Sequence, residues 1–127
     1  MQFKVLVVDD DADILDAVSD TLSAEHDVLT ALDGEEAIEV ATRERPDVIL
    51  LDVSMPKMDG YGVARALRSQ ADTRHIPIIM LTGHTEQKAA MRGFRDGVND
   101  YLVKPFTPSH LRARVDTWLI RRHWPQV

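Results

Sequence analysis

The sequence contains no cysteine. That absence excludes a disulfide framework, a CxxC redox pair, a thiolate nucleophile and a cysteine-ligated zinc site, and it makes the cytoplasm the expected compartment. Long apolar runs are missing too. The run Val5-Leu6-Val7-Val8 ends at a block of acids, too short for a signal peptide or a membrane span, so no membrane partner is expected. There is no internal repeat, low-complexity stretch or linker. His26, His75, His110 and His123 lie far apart without an HxxxH spacing, and no histidine metal site is read from them. What is present is ordinary for a globular chain: 127 residues, 44% hydrophobic and 28% charged. A chain of this size buries roughly two-thirds of its unfolded surface, enough for one core without covalent staples. Residues 1–127 are therefore expected to form a single domain, with its core over about residues 3–121 and a short C-terminal tail.

The net charge of −6 conceals an asymmetry. Residues 1–60 carry 4 basic and 16 acidic side chains, whereas residues 61–127 carry 11 and 5. An acidic first half suits cations and disfavours direct nucleic-acid binding, while the basic second half suits an acidic protein surface.

Five short apolar runs alternate with helix-period stretches, the pattern of successive βα units around a parallel sheet. The runs are 3–8, 28–31, 48–51, 76–81 and 101–103. All but the second are rich in Val, Ile or Leu with little alternation, as in strands covered on both faces; the second reads as nearer an edge. Helical periodicity covers 12–24, 35–44 and 58–69, and Ala89, Phe94 and Val98 point to a fourth helix. Pro108 and Ser109 open a last helix with Leu111, Val115, Trp118 and Leu119 on its apolar stripe. The expected architecture is an α/β, doubly wound (βα)5 sandwich, in which ligands lie beyond the carboxyl ends of the strands.

At those ends stand Asp9, Asp10 and Asp11, then Asp52, Thr82 and Lys104. Taken singly they have plain readings: Asp11 as a helix N-cap, Thr82 as a turn residue, Lys104 as a solvated lysine. Gathered at one crevice, the carboxylates repel one another and favour a bound hard cation. Carboxylate oxygens without clustered nitrogen or sulfur point to Mg²⁺, which keeps waters and borrows phosphate oxygens.

Four stretches carry a family resemblance: VLVVDD at 5–10, DVILLDVSMPKMDG at 47–60, PIIMLTG at 77–83 and NDYLVKPF at 99–106. In this order and spacing the chain resembles the receiver domain of two-component response regulators, chemotaxis-receiver-like, over nearly its whole length. The resemblance implies a flavodoxin-like five-stranded sheet in the order 2-1-3-4-5. It implies that Asp52 accepts a phosphoryl group and that Mg²⁺, or Mn²⁺ in its place, is held by Asp9, Asp10, Asp52 and the backbone carbonyl of Ser54. Thr82 and Lys104 would bind the phosphoryl group, with Gly83 leaving access to it. Tyr101 would be the switch aromatic, Pro105 would follow a cis bond, and Ser54 and His84 would tune the acyl-phosphate lifetime. The implied donor is a histidine kinase or histidine phosphotransfer protein. The implied readout is the face of the fourth helix, fifth strand and last helix, directed at a downstream protein or an output domain outside the chain, with homodimerisation as a further use.

The residues also argue for this chemistry directly, because a carboxylate is a competent nucleophile toward phosphorus and a cation with a lysine can neutralise the transferring charge. An aspartyl-nucleophile phosphatase would need a D-x-D-x-[TV] loop, and residues 9–13 lack its last element. A flavodoxin-like electron carrier would need a first loop that welcomes phosphate, and this one is acidic. A receiver fold serving only as a binding module remains the alternative, against which the full set of strand-end residues argues. On this reading the chain is a signalling receiver rather than an enzyme, although it assists its own phosphorylation and dephosphorylation.

Overall fold

The computed structural model describes residues 2–83 and 97–123. Five parallel strands, β1 (Lys4–Val8), β2 (Asp27–Ala31), β3 (Val48–Asp52), β4 (Ile78–Thr82) and β5 (Asp100–Val103), form one sheet in the order β2-β1-β3-β4-β5. Helices α1 (Ala12–Leu22), α2 (Gly34–Glu44), α3 (Gly60–Arg68) and α4 (Pro108–His123) cover it. The fold is that of the flavodoxin-like sandwich expected from the sequence. Of the fourth expected helix, read from Ala89, Phe94 and Val98, all but its end lies in 84–96, outside the described residues, so the final helix is α4 here.

Strand alternation sorts the core into two layers. Leu6, Val8, Ile49, Leu51, Ile78 and Met80 face α2 and α3, meeting Ala37, Val40, Val63 and Leu67. Val5, Val7, Leu50, Ile79 and Leu81 face α1 and α4, meeting Leu15, Val18, Leu111 and Val115. Because β1, β3 and β4 are buried on both faces, their residues are apolar without alternation. The edge position read for β2 holds: only Ala31 of its five residues is buried.

Three expectations need correction. β5 is also an edge strand, and only Leu102 of its four residues is buried, the other three being half-buried. β4 begins at Ile78 rather than Ile76, because Pro77 has no N–H to give the ladder and Ile76 is instead held in a turn by Thr73. Val98 is not helical. Gly97 turns the chain with φ +88°, and Val98 then drops into the core.

Helix starts follow local capping chemistry. Asp11, Asp33 and Asp59 each cap a helix with a side-chain oxygen accepting from a first-turn amide. Thr107 Oγ1 does the same for His110 N ahead of α4, with Pro108 in the first helical position.

Candidate phosphoryl-acceptor site

Parallel pairing puts all five carboxyl ends on one edge of the sheet. Val8 pairs with Leu51, Asp52 with Leu81 and Thr82 with Val103, so Asp9, Asp52, Thr82 and Lys104 emerge side by side. The ladder runs one step beyond the strands: Asp9 N donates to Ala31 O, Val53 N to Leu81 O and Lys104 N to Thr82 O. These bonds fix the backbone from which the polar side chains project.

Asp9 and Asp52 are buried, 1% and 6% exposed, whereas Asp10 is exposed. One carboxylate oxygen from each of the three lies within 4.8 Å of the other two. Lys104 Nζ reaches into the group, 3.0 Å from Asp9 Oδ2 and 3.2 Å from Asp52 Oδ1. One ammonium thus pairs with two carboxylates while a third stands beside them, an arrangement short of positive charge. Burial, then the neighbouring Asp9 charge, push the Asp52 carboxyl up to about 6, against the pull of Lys104 and the Ser54 amide. Burial also opposes the Lys104 charge, yet the hydrogen bond to Asp9 and the two carboxylate charges hold its ammonium above the ordinary lysine range. The donor set is all oxygen and anionic, partly open to solvent through Asp10, and it fits a hard divalent cation.

Neighbouring backbone supports the site. Asp11 N donates to Asp9 Oδ1 at 3.0 Å while Asp11 caps α1 through Asp13 N, so the plain capping reading of Asp11 is right and also orients Asp9. Gly60 opens α3 directly against β3, where a Cβ would sit 2.5 Å from Asp52 O and 2.8 Å from Met80 Sδ. Only glycine permits that approach. Lys57, in the same loop, has φ +71°, a left-handed conformation that residues other than glycine adopt at a penalty.

The remaining sequence-predicted residues are nearby. Thr82 is 4% exposed, and its hydroxyl donates to Gly83 O at 3.2 Å. Gly83 is half-buried beside it, and Ser54 is exposed two residues past Asp52. The Lys104–Pro105 bond is cis. Tyr101 is half-buried, packs on the layer under α2 and α3, and pairs with Met80. His84 lies outside the described residues.

Sequence reasoning missed Asp59, whose oxygen accepts from Gly62 N at 2.9 Å and sets α3 beside the site. The D-G step before an apolar stretch was the available signal. It also missed Asp100, which accepts from Trp118 Nε1 at 2.8 Å, Arg114 Nη1 at 2.6 Å and Tyr101 N at 2.8 Å, bolting α4 to β5. Burial opposes the Asp100 charge, but these donors hold its carboxyl below the usual range.

The response regulator receiver domain profile matches residues 5–116. The chain belongs to the response regulator receiver family. Among solved structures the receiver is similar to the chemotaxis protein CheY4 of Vibrio cholerae, with TM-score 0.87 and 41% identity over 92% of this chain and 98% of that one. It is 43% identical over 122 residues to the alkaline phosphatase synthesis transcriptional regulatory protein PhoP of Bacillus subtilis, covering 95% of this chain and 50% of that protein. It is 45% identical over 125 residues to the probable transcriptional regulator ycf27 of Cyanophora paradoxa, covering 98% and 51%. The receiver spans about half the length of these curated relatives. Receivers of two-component systems work with kinases and output domains and bind Mg²⁺ through acidic residues, and this one brings such residues together. Among the described residues no helix is long and apolar enough to cross a membrane.

Proposed function

We propose that this receiver accepts a phosphoryl group on Asp52 and uses it to reset a protein-binding surface. The observation that carries the reading is the convergence of Asp9, Asp10 and Asp52 within 4.8 Å, with Lys104 Nζ bridging the two buried carboxylates. The donor is a phosphohistidine of a histidine kinase or phosphotransfer protein. An Asp52 oxygen forms the new bond to phosphorus as the P–N bond breaks, its electron pair returning to the donor imidazole. Asp9, Asp10, Asp52 and the Ser54 carbonyl would hold Mg²⁺, or Mn²⁺, which when bound supplies positive charge to the phosphoryl oxygens.

The chain's own residues do the rest. Lys104 trades its carboxylate partners for a phosphoryl oxygen and stays charged throughout. The Thr82 hydroxyl, held to Gly83 O by a long 3.2 Å bond, turns to donate to the phosphoryl group, and Tyr101 repacks toward the space it leaves. Gly83 keeps the approach open, while Ser54 and His84 flank the path of the hydrolytic water. Because Asp100 fastens α4 to the strand that carries Tyr101, a change at Tyr101 is transmitted to the β5 and α4 face. Only the difference in phosphoryl contacts between the two arrangements supplies the shift.

The partner on that face is a downstream protein, a second copy, or an output domain such as the longer relatives have room for. The transcriptional regulators among them place nucleic-acid contact in the whole protein; this acidic stretch does not make it itself. The receiver works in the cytoplasm and turns over no external substrate. Intact mass after incubation with a small phosphodonor tests the reading. One added phosphoryl group that needs Mg²⁺ and is lost in Asp52→Asn supports it. A folded wild type that binds Mg²⁺ yet gains no mass from either a small donor or a phosphohistidine protein leaves only a binding module.

A further inference from the structure

The turn between α1 and β2 assembles side chains that the phosphoryl-acceptor site does not use. Glu25 and His26 end that turn, and Asp116 reaches it from α4. One potential ligand atom from each lies within 4.8 Å of the other two. Thr21, Leu22 and Arg112 complete the cleft. Asp27 pairs with Lys4 at the start of β1, so the cleft sits at the amino edge of the parallel sheet. A strand's length, about 16 Å, separates it from the acceptor edge.

His26 is the informative residue. It is 7% exposed, with the Phe3 ring centroid 6.0 Å from its own. Buried polar side chains normally have hydrogen-bond partners. Here Nδ1 has none, and Nε2 faces Asp116 Oδ1 at 3.8 Å, beyond hydrogen-bond range. That separation is near the spacing of two donors on one tetrahedral ion, since bonds of zinc to nitrogen and oxygen place neighbouring donors about 3.4 Å apart.

We propose that Glu25, His26 and Asp116 form a second metal site that takes a zinc-class transition ion in preference to Mg²⁺. An imidazole nitrogen with two carboxylates suits zinc, nickel or copper, whereas Mg²⁺ prefers oxygen alone. Glu25 and Asp116 are exposed, so an ion reaches them from solvent. Two features keep the affinity moderate. The cationic Arg112 is among the lining residues, and His26 Nδ1 lacks the outer acceptor that normally supports a ligating histidine. Binding would tie the α1–β2 turn to α4, the helix that Asp100 fastens to β5.

Calorimetric titration of the full chain with Zn²⁺ in excess Mg²⁺ tests this, with Co²⁺ absorption reporting coordination geometry. One Zn²⁺ per chain is expected, resistant to Mg²⁺, weakened at least about tenfold in Asp116→Asn and in Glu25→Gln. A zinc-dependent rise in Tm should be present in the wild type and smaller at the same zinc concentration in Asp116→Asn. Both replaced carboxylates are exposed, so these variants fold, which circular dichroism verifies. Failure of the wild type to bind, displacement by Mg²⁺, or equal binding by wild type and Asp116→Asn overturns the site.

Discussion

Replacing Asp52 with asparagine removes a charge that the folded receiver holds unfavourably. Burial and Asp9 raise the Asp52 carboxyl from 3.8 to about 6, so the folded chain keeps a proton there that the unfolded chain has already released. Where the native state binds more protons, stability falls as pH rises. The loss therefore develops between about pH 4 and pH 6 and persists above that window. A displacement of about two pKa units has a ceiling of about 3 kcal/mol. Solvent screening and the sharing of charge with Asp9 and Lys104 reduce the expected effect to about 1–2 kcal/mol. The asparagine side chain cannot ionise and escapes the loss. Urea unfolding in chelator, followed by circular dichroism from about pH 3.5 to 7.5, should show the Asp52→Asn advantage growing by about that amount up to about pH 6 and staying level above it. At pH 7.5 this corresponds to a Tm higher by roughly 4–8 °C. A difference that stays flat with pH, or a wild type that gains on the variant as pH rises, would refute the electrostatic reasoning.

Lys104→Met should leave Asp9 and Asp52 facing each other without a cation and lower stability by about 1–3 kcal/mol at pH 7.5, a deficit that added Mg²⁺ reduces in thermal melts. Gly60→Ala places a methyl 2.5 Å from the Asp52 carbonyl, a backbone atom that cannot step aside; a loss of about 1–3 kcal/mol and slower phosphorylation are expected in parallel denaturation and mass assays. Asp59→Ala removes the α3 cap and should cost about 1 kcal/mol in urea unfolding, with Asp59→Asn restoring most of it.

Much of the fold was legible because burial on both faces leaves an unbroken apolar run, as in β1, β3 and β4, and because parallel strands separated by helices have few topological solutions. The strand-end carboxylates were legible for the same reason: a charge cannot continue such a run, so the first polar residue marks the rim. β5 was harder. Its Leu102 is a core residue, but Val103 reads the same in sequence and is only half-buried, because the strand stands at the end of the sheet. The helix cap at Asp11 was legible from its place ahead of an apolar-periodic stretch, whereas Asp59 follows a Met-Pro-Lys-Met loop whose end the periodicity does not mark.

The sequence by itself determined the succession of βα units, the edge character of β2, the acidic rim and the absence of thiol chemistry. Each depends on residues within a few positions of one another, the reach of helical and strand periodicity. Only the tertiary structure decided that Lys104 lies between Asp9 and Asp52, that Gly60 touches the Asp52 backbone, and that Asp100 joins α4 to β5. It alone brought His26 to Asp116, although the histidine spacing gave no sign of a ligand set. Those contacts depend on strand register and helix packing, which align side chains up to 95 positions apart in the chain. Coulomb and hydrogen-bond forces act over a few ångströms of space, and sequence separation does not measure that distance.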